Sequence, residues 1–362
     1  MPYLLKAKAN LRLRFHCLLQ LSIAVLCWAP GAAAAKPAPL VFCYQPMASP
    51  GGALAAMLQR DRILRQDLER SGFSLQMAPV RNGSEAITLL ASGGAHFSTL
   101  GDMPLLKAAT EMPLYAFALI KQNYTSVVGP KGLLPSDLKG KRIGNAYGTS
   151  SHFALMKALA SSGLAESDAV LVPMEVTEME DALLKGKIDA YAAWPPTPEL
   201  TLSRYPDRFA AIGKQKSIAF LVISRPLADR HPELPRHVAA ALVRAMNLLS
   251  KERKALESAA ESNLGDIKAL KGSQNQQMTN ARLAQDLRAD LSSIGYSPRM
   301  PRGVEAEGSS LAEEFLFLKK LGKIPAAVTW SAVKGIFRFD ILDRVSKNPK
   351  KYQTYRFDYD RK

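Results

Sequence analysis

Short apolar runs alternate along this chain with stretches whose apolar positions recur at helical spacing, which predicts strand and helix in alternation and a mainly parallel α/β sheet. Leu40–Tyr44 reads as the first strand, followed by Gln45-Pro46-Met47-Ala48-Ser49-Pro50-Gly51-Gly52 and a helix running through Leu68. Ser74–Val80 predicts a second strand, after which Gly83-Ser84 opens a helix to about Ala91. Gly93–Thr99 predicts a third strand, and Gly101-Asp102-Met103-Pro104 starts the next helix. Each strand ends in small or polar residues that lead into a helix N-terminus.

The design repeats in the middle of the chain. Leu114–Ile120 and Tyr124–Gly129 are extended, and Arg142–Ala146 is a short strand bounded by glycines. Gly148-Thr149-Ser150-Ser151 opens a helix on which Phe153, Leu155, Met156 and Leu159 recur at helical spacing. Val170–Val172, a Met179–Leu184 helix and the Ile188–Ala193 strand follow, the last delivering Trp194 and two prolines. Ser217–Ser224 is a continuous apolar strand. Beyond it the pattern is helical, with stripes over Pro235–Lys251, Gln276–Leu291 and Ser309–Leu321.

The first residues have the three parts of a secretory signal. Lys6, Lys8, Arg12 and Arg14 precede the apolar Phe15–Trp28, and Gly31–Ala35 offers cleavage after Ala35. The apolar run is shorter than the roughly 20 residues of a spanning helix. Cys27 follows the bulky Leu26, which disfavours lipidation there. Removing this segment leaves Cys43 as the one cysteine, in an apolar run that predicts a buried core residue and no intramolecular disulfide. The five histidines show no metal-ligand spacing, so neither a metal nor a cofactor is expected.

Charge changes the picture little. Taking those four basic residues from the 48 Lys and Arg, against 32 Asp and Glu, leaves a surplus of +12 after processing. From Lys319 onward there are 12 basic and 4 acidic residues. An exported chain without a nucleic-acid motif argues against nucleic acid as the partner. The basic tail then reads as a solvated face, with contact to anionic lipid or a transporter surface as the alternative.

Two sets of residues carry a family resemblance. In the middle of the chain they are Leu138-Lys-Gly-Lys-Arg-Ile, then Gly148-Thr-Ser-Ser-His, then Gly186-Lys-Ile-Asp-Ala-Tyr-Ala-Ala-Trp194-Pro. Nearer the start they are Asn82-Gly83-Ser84 and Leu100-Gly101-Asp102-Met103-Pro104. From about Leu40 to about Phe337 the chain resembles the periplasmic solute-binding proteins of nitrate, taurine and aliphatic-sulfonate ABC transporters. The resemblance implies a two-lobed type 2 periplasmic-binding-protein fold, each lobe a mainly parallel sheet flanked by helices, with two hinge crossings. The expected organisation is a signal peptide over 1–35, a discontinuous lobe one over 36–125 and 222–337, and lobe two over 126–221. A basic extension over 338–362 departs from the family's usual ending and is expected to be poorly ordered or packed on an edge.

A strand that ends at a helix N-terminus presents free N–H groups and the positive end of the helix dipole, which suits a small anion. The candidate ligand contacts are Gln45, Gly83, Ser84, Gly101, Asp102, Met103, Tyr147, Gly148, Thr149, Ser150, Ser151 and Trp194. Competing structural roles stand beside several of them. Thr149 or Ser150 can simply cap the helix, Asp102 can cap or bridge instead of accepting a ligand amine, and Trp194 can belong to the core. Asp189 suits a structural hydrogen bond, and His152 a surface or supporting position. No strong cation is expected in these loops. Each helix end contributes about 0.3–1 kcal/mol and micromolar affinity needs about 8 kcal/mol, so several contacts and an organic tail packed on Trp194 and Met103 are required.

The leading function is a monomeric receptor that closes on a small anion or polar organic solute and delivers it to an inner-membrane ABC permease. A ligand sensor for a signalling partner is one alternative. An enzyme on the same scaffold, similar to thiamine pyrimidine synthase, is another, although no nucleophile–base pair is evident.

Overall fold

The structure, a computed structural model, describes residues 36–270 and 278–360. The expected signal peptide, with Cys17, Cys27 and the cleavage point after Ala35, lies outside the described residues. The strands are β1 (Ala38–Tyr44), β2 (Phe73–Pro79), β3 (Phe97–Gly101), β4 (Leu114–Pro130), β5 (Arg142–Asn145), β6 (Val170–Pro173), β7 (Ala190–Ala193) and β8 (Phe209–Ser224). They form one mixed sheet in the order β2-β1-β3-β8-β4-β7-β5-β6. Pairing is parallel for β1 with β3, and for β5 with both β6 and β7. The two long central strands run antiparallel to each other and to their outer neighbours.

Those central strands are longer than the apolar pattern predicts. Strand β4 spans 17 residues and β8 spans 16, paired from Leu114 opposite Ser224 to Pro130 opposite Phe209. The polar stretches Lys121-Gln122-Asn123 and Lys214-Gln215-Lys216 break the apolar run but not the ladder, because backbone hydrogen bonds do not depend on side-chain polarity. One register irregularity falls between Leu119 and Lys121, the kind of feature that re-aims a side chain.

The helices are α1 (Gly51–Arg60), α2 (Arg62–Arg70), α3 (Gly83–Ala91), α4 (Asp102–Glu111), α5 (Ser150–Ala160), α6 (Met179–Leu184) and α7 (Thr197–Arg204). There follow α8 (Arg225–Arg230), α9 (Glu233–Lys251), α10 (Arg253–Ala269), α11 (Asn280–Ser293), α12 (Ser310–Lys320), α13 (Trp330–Lys334) and α14 (Asp340–Lys347). The single helix predicted through Leu68 is two. Asp61 ends the first and caps the second, its side chain accepting from the Leu64 N–H at 2.9 Å. In the β5–β7 half, Ala190 and Ala192 of β7 pack with Ile143 and Leu155, whereas Tyr191 and Ala193 pack with Met179 and Phe209. This sheet is therefore buried on both faces, as parallel sheets are. Cys43 is buried, and burial pushes its thiol up to about 11.

The C-terminal extension, described over 338–360, is a packed strap, the second of the two outcomes expected for it. Ile341, Leu342 and Val345 of α14 are buried beside α9, and Tyr352 is almost fully covered. Arg244 of α9, with no exposed surface, donates to Asp61 at 2.8 Å and to the Tyr352 carbonyl at 2.9 Å. Asp360 pairs with Arg62 and Arg65, and the Arg62 N–H donates to the Asp358 carbonyl at 2.9 Å. The abundance of charge concealed a helical apolar triplet.

Candidate binding cavity

A cavity of about 710 Å³ lies where the carboxyl ends of β1, β3 and β5 meet the N-termini of α1, α3, α4 and α5. Open α/β sheets place ligands at strand carboxyl ends. Of the twelve expected contacts, Gln45, Gly83, Ser84, Gly101, Asp102, Tyr147, Thr149, Ser150 and Trp194 line it. Gly83 lets α3 and α4 approach, since a Cβ there would sit 2.8 Å from Pro104 Cγ.

The other three lie elsewhere. Met103 is buried in the main core, because its position in the first turn of α4 turns inward. Ser151, with no exposed surface, accepts from the Ala146 N–H and donates to the Ala192 carbonyl, so its hydroxyl ties β5 to β7. Gly148 adopts φ +73°, and a Cβ would meet Lys323 Cε at 3.1 Å, which makes it the turn residue beneath Lys323.

The capping arrangement separates donors already used from donors left over. Asn82 accepts from the Glu85 N–H at 3.1 Å and Thr149 accepts from the Ser151 N–H at 3.2 Å. The Gly83, Ser84 and Ser150 N–H groups take no partner from the described residues, and all three residues line the cavity. Asp102 is a bridge: it accepts from Met103 N, Ser217 Oγ and Ile218 N at 2.9, 2.9 and 3.1 Å, fastening α4 to β8. Burial raises its pKa, opposed by these donors and by the charge of Lys121.

His152 is buried and takes the supporting position of the two expected for it. Its ring stacks on Tyr147 with centroids 4.6 Å apart and meets Phe317 edge-on, while Nδ1 accepts from the Gly148 N–H at 3.3 Å. Burial lowers its pKa, opposed by the Glu166 carboxylate 3.4 Å from Nε2, and the ring props the loop. Asp189 accepts from the Arg142 backbone and guanidinium at 2.8 Å, outside the cavity lining. Trp194 does both jobs, lining the cavity and packing on the Met179–Phe209 cluster.

Two residues that pattern reading missed alter the electrostatics. Lys121 is the one cation among the described lining residues, contrary to the expectation of none. It is only 8% exposed, and no ion pair within 4.0 Å is formed by its amine among the described residues. Asn145, with no exposed surface, also lines the cavity, and neither its Oδ1 nor its Nδ2 has a partner. An unpartnered buried amide costs about 1–3 kcal/mol. Signals for both existed: a lone lysine at the end of an apolar strand, and a polar residue at the carboxyl end of β5. Across the cavity stand Glu175 and Glu178, both exposed. Among the described residues no group of three or more His, Cys, Asp or Glu is placed to hold a metal ion.

The class defined by this topology is the two-lobed type 2 periplasmic-binding-protein fold. It is shared with the alkanesulfonate-binding protein SsuA from Xanthomonas axonopodis pv. citri bound to MOPS (TM-score 0.59, 19% identity, covering 84% of this chain and 99% of that one). It is also shared with a putative periplasmic sulfonate-binding SsuA from Methylobacillus flagellatus KT (TM-score 0.63, 14% identity, 90% and 99%). Residues 68–205 match the family model described as NMT1/THI5 like. The taurine-binding periplasmic protein of Escherichia coli K12 is 26% identical over 214 residues, 56% of this chain and 63% of its own length. The chain spans 38–40% of the other curated relatives it matches.

Proposed function

We propose that this protein is the periplasmic solute-binding component of an ABC importer, taking a small organic anion of the sulfonate or taurine class into the cavity and passing it to an inner-membrane permease. The observation that carries this is the convergence of the unpartnered Gly83, Ser84 and Ser150 N–H groups, the unpartnered Asn145 amide and the unpaired Lys121 amine on one cavity. Helix N-termini and an ammonium attract an anion, while the amide offers both donors and an acceptor. Trp194 supplies an apolar wall, and Glu175 and Glu178 would favour a tail that carries positive charge. The named relatives are binding proteins for taurine and sulfonates, which supports a non-catalytic role.

Capture would proceed by bending of β4 and β8, lobe one (36–125 and 222–337) closing on lobe two (126–221). Closure follows only if the ligand stabilises the shut state more than the open one. Small-angle scattering of the purified protein should show compaction on addition of taurine or a short alkanesulfonate, together with a rise in Tm. An unchanged radius of gyration and Tm with taurine, alkanesulfonates and nitrate would reject the assignment.

A further inference from the structure

Helix α12 comes from the far end of the chain, yet it packs on both α4 and α5, two of the helices whose N-termini meet at the cavity. One stripe of it, Leu311, Phe315 and Leu318, is buried in the main core and fixes the helix. A second stripe faces α5. Phe317 meets the rings of His152 and Phe153 with centroids 5.0 and 5.2 Å apart, and Glu313, one turn earlier, accepts from the Lys157 amine at 3.1 Å. His152 in turn stacks on Tyr147 and accepts from the Gly148 N–H. The packing of Phe317 is thus passed on to the loop that brings Tyr147, Thr149 and Ser150 to the cavity. Gly148, at φ +73°, has no side chain of its own to hold that turn.

Resting on the solute-binding function above, we infer that Phe317 is a positioning residue for the ligand: through His152 it holds the Tyr147–Ser150 loop in the conformation that leaves the Ser150 N–H unpartnered at the cavity. Phe317 does not line the cavity itself. Its contribution is preorganisation, since a loop already held loses less freedom when the ligand binds.

Calorimetric titration with taurine and ethanesulfonate, at a temperature where every variant is folded by circular dichroism, tests this directly. Phe317→Ala should weaken binding by about five- to tenfold, within the range of substitutions that act on a site without touching it. Phe317→Tyr, which keeps the ring, should bind within about twofold of the wild type, and Leu316→Ala, at a 62% exposed position of the same helix, should change nothing. Should Phe317→Ala fail to fold, Phe317→Leu replaces it, losing the ring but keeping bulk. His152→Phe retains a ring between Tyr147 and Phe317 but removes the acceptor for the Gly148 N–H, and should weaken binding by itself. Because Phe317 acts through His152, the double variant should lose less than the product of the two single losses. Wild-type affinity in the variant that lacks the Phe317 ring would overturn the positioning role and leave the receptor standing. A double loss equal to the product would also overturn it. Absence of binding by the wild type would remove the receptor function itself, and the positioning role with it.

Discussion

The junction of the strap with α9 and the cavity use buried polar groups differently. At the junction, Arg244 and Asp61 are buried, and the fold supplies most of their partners: each other, the Tyr352 carbonyl and the Leu64 N–H. At the cavity, the Asn145 amide and three helix-end N–H groups take no partner from the described residues, while Lys121 makes no ion pair within 4.0 Å and acts at longer range on Asp102, Asp286 and Asp290. Buried polar groups are normally satisfied: the strap junction is nearly finished, with the Arg244 Nη2 and the Tyr359 hydroxyl left over, whereas at the cavity both polar atoms of the Asn145 amide lack partners.

The contrast is most severely tested at Arg244. Arg244→Ala leaves Asp61 buried without its cation and releases the strap, so it should cost about 3–5 kcal/mol, read as a large fall in the denaturation midpoint. A loss under 1 kcal/mol would mean that the strap is not held there. Asn145→Leu should do the reverse. Removing an unpartnered amide should raise the ligand-free stability by about 1 kcal/mol while abolishing most of the sulfonate-induced Tm rise. Destabilisation comparable to that of Arg244→Ala would show that the amide belongs to the finished part.

The smallest effect is expected at Glu314, 2% exposed on α12, with Oε2 unpartnered. Burial, reinforced by nearby Asp102, raises its pKa well above the usual carboxylate range. The folded state thus holds a proton that the unfolded state releases, so stability is fully present below the ordinary carboxylate pKa and declines as pH rises through the elevated folded value. Glu314→Gln should flatten this decline in denaturant titrations taken upward from the ordinary carboxylate pKa. An unchanged slope would assign the pH dependence to other groups.

Much of the cavity was legible because its chemistry is local. A strand end, a glycine and a hydroxyl before a helix create free N–H groups wherever they occur, so the loops at Gly83, Gly101 and Ser150 could be located from short-range pattern alone. Ser151 and Met103 were misplaced because a one-residue step around a helix N-terminus turns a side chain from cavity to core, and only the neighbouring strands decide which way. Lys121 escaped notice because its strand reads as apolar and its destination depends on the ladder irregularity beside it. The strap was hidden for a related reason: its partners Asp61 and Arg244 lie far away in sequence.

By itself, then, the order of apolar and polar residues determined the alternation of strands and helices, the two central strands though not their full length, and the N-terminal loops. These follow from interactions within a few residues along the chain. Tertiary structure decided which polar groups would be satisfied: it gave Asp61 its arginine and withheld partners from the Asn145 amide. Satisfaction is a property of what packs against a group, and those neighbours come from segments that no local pattern connects.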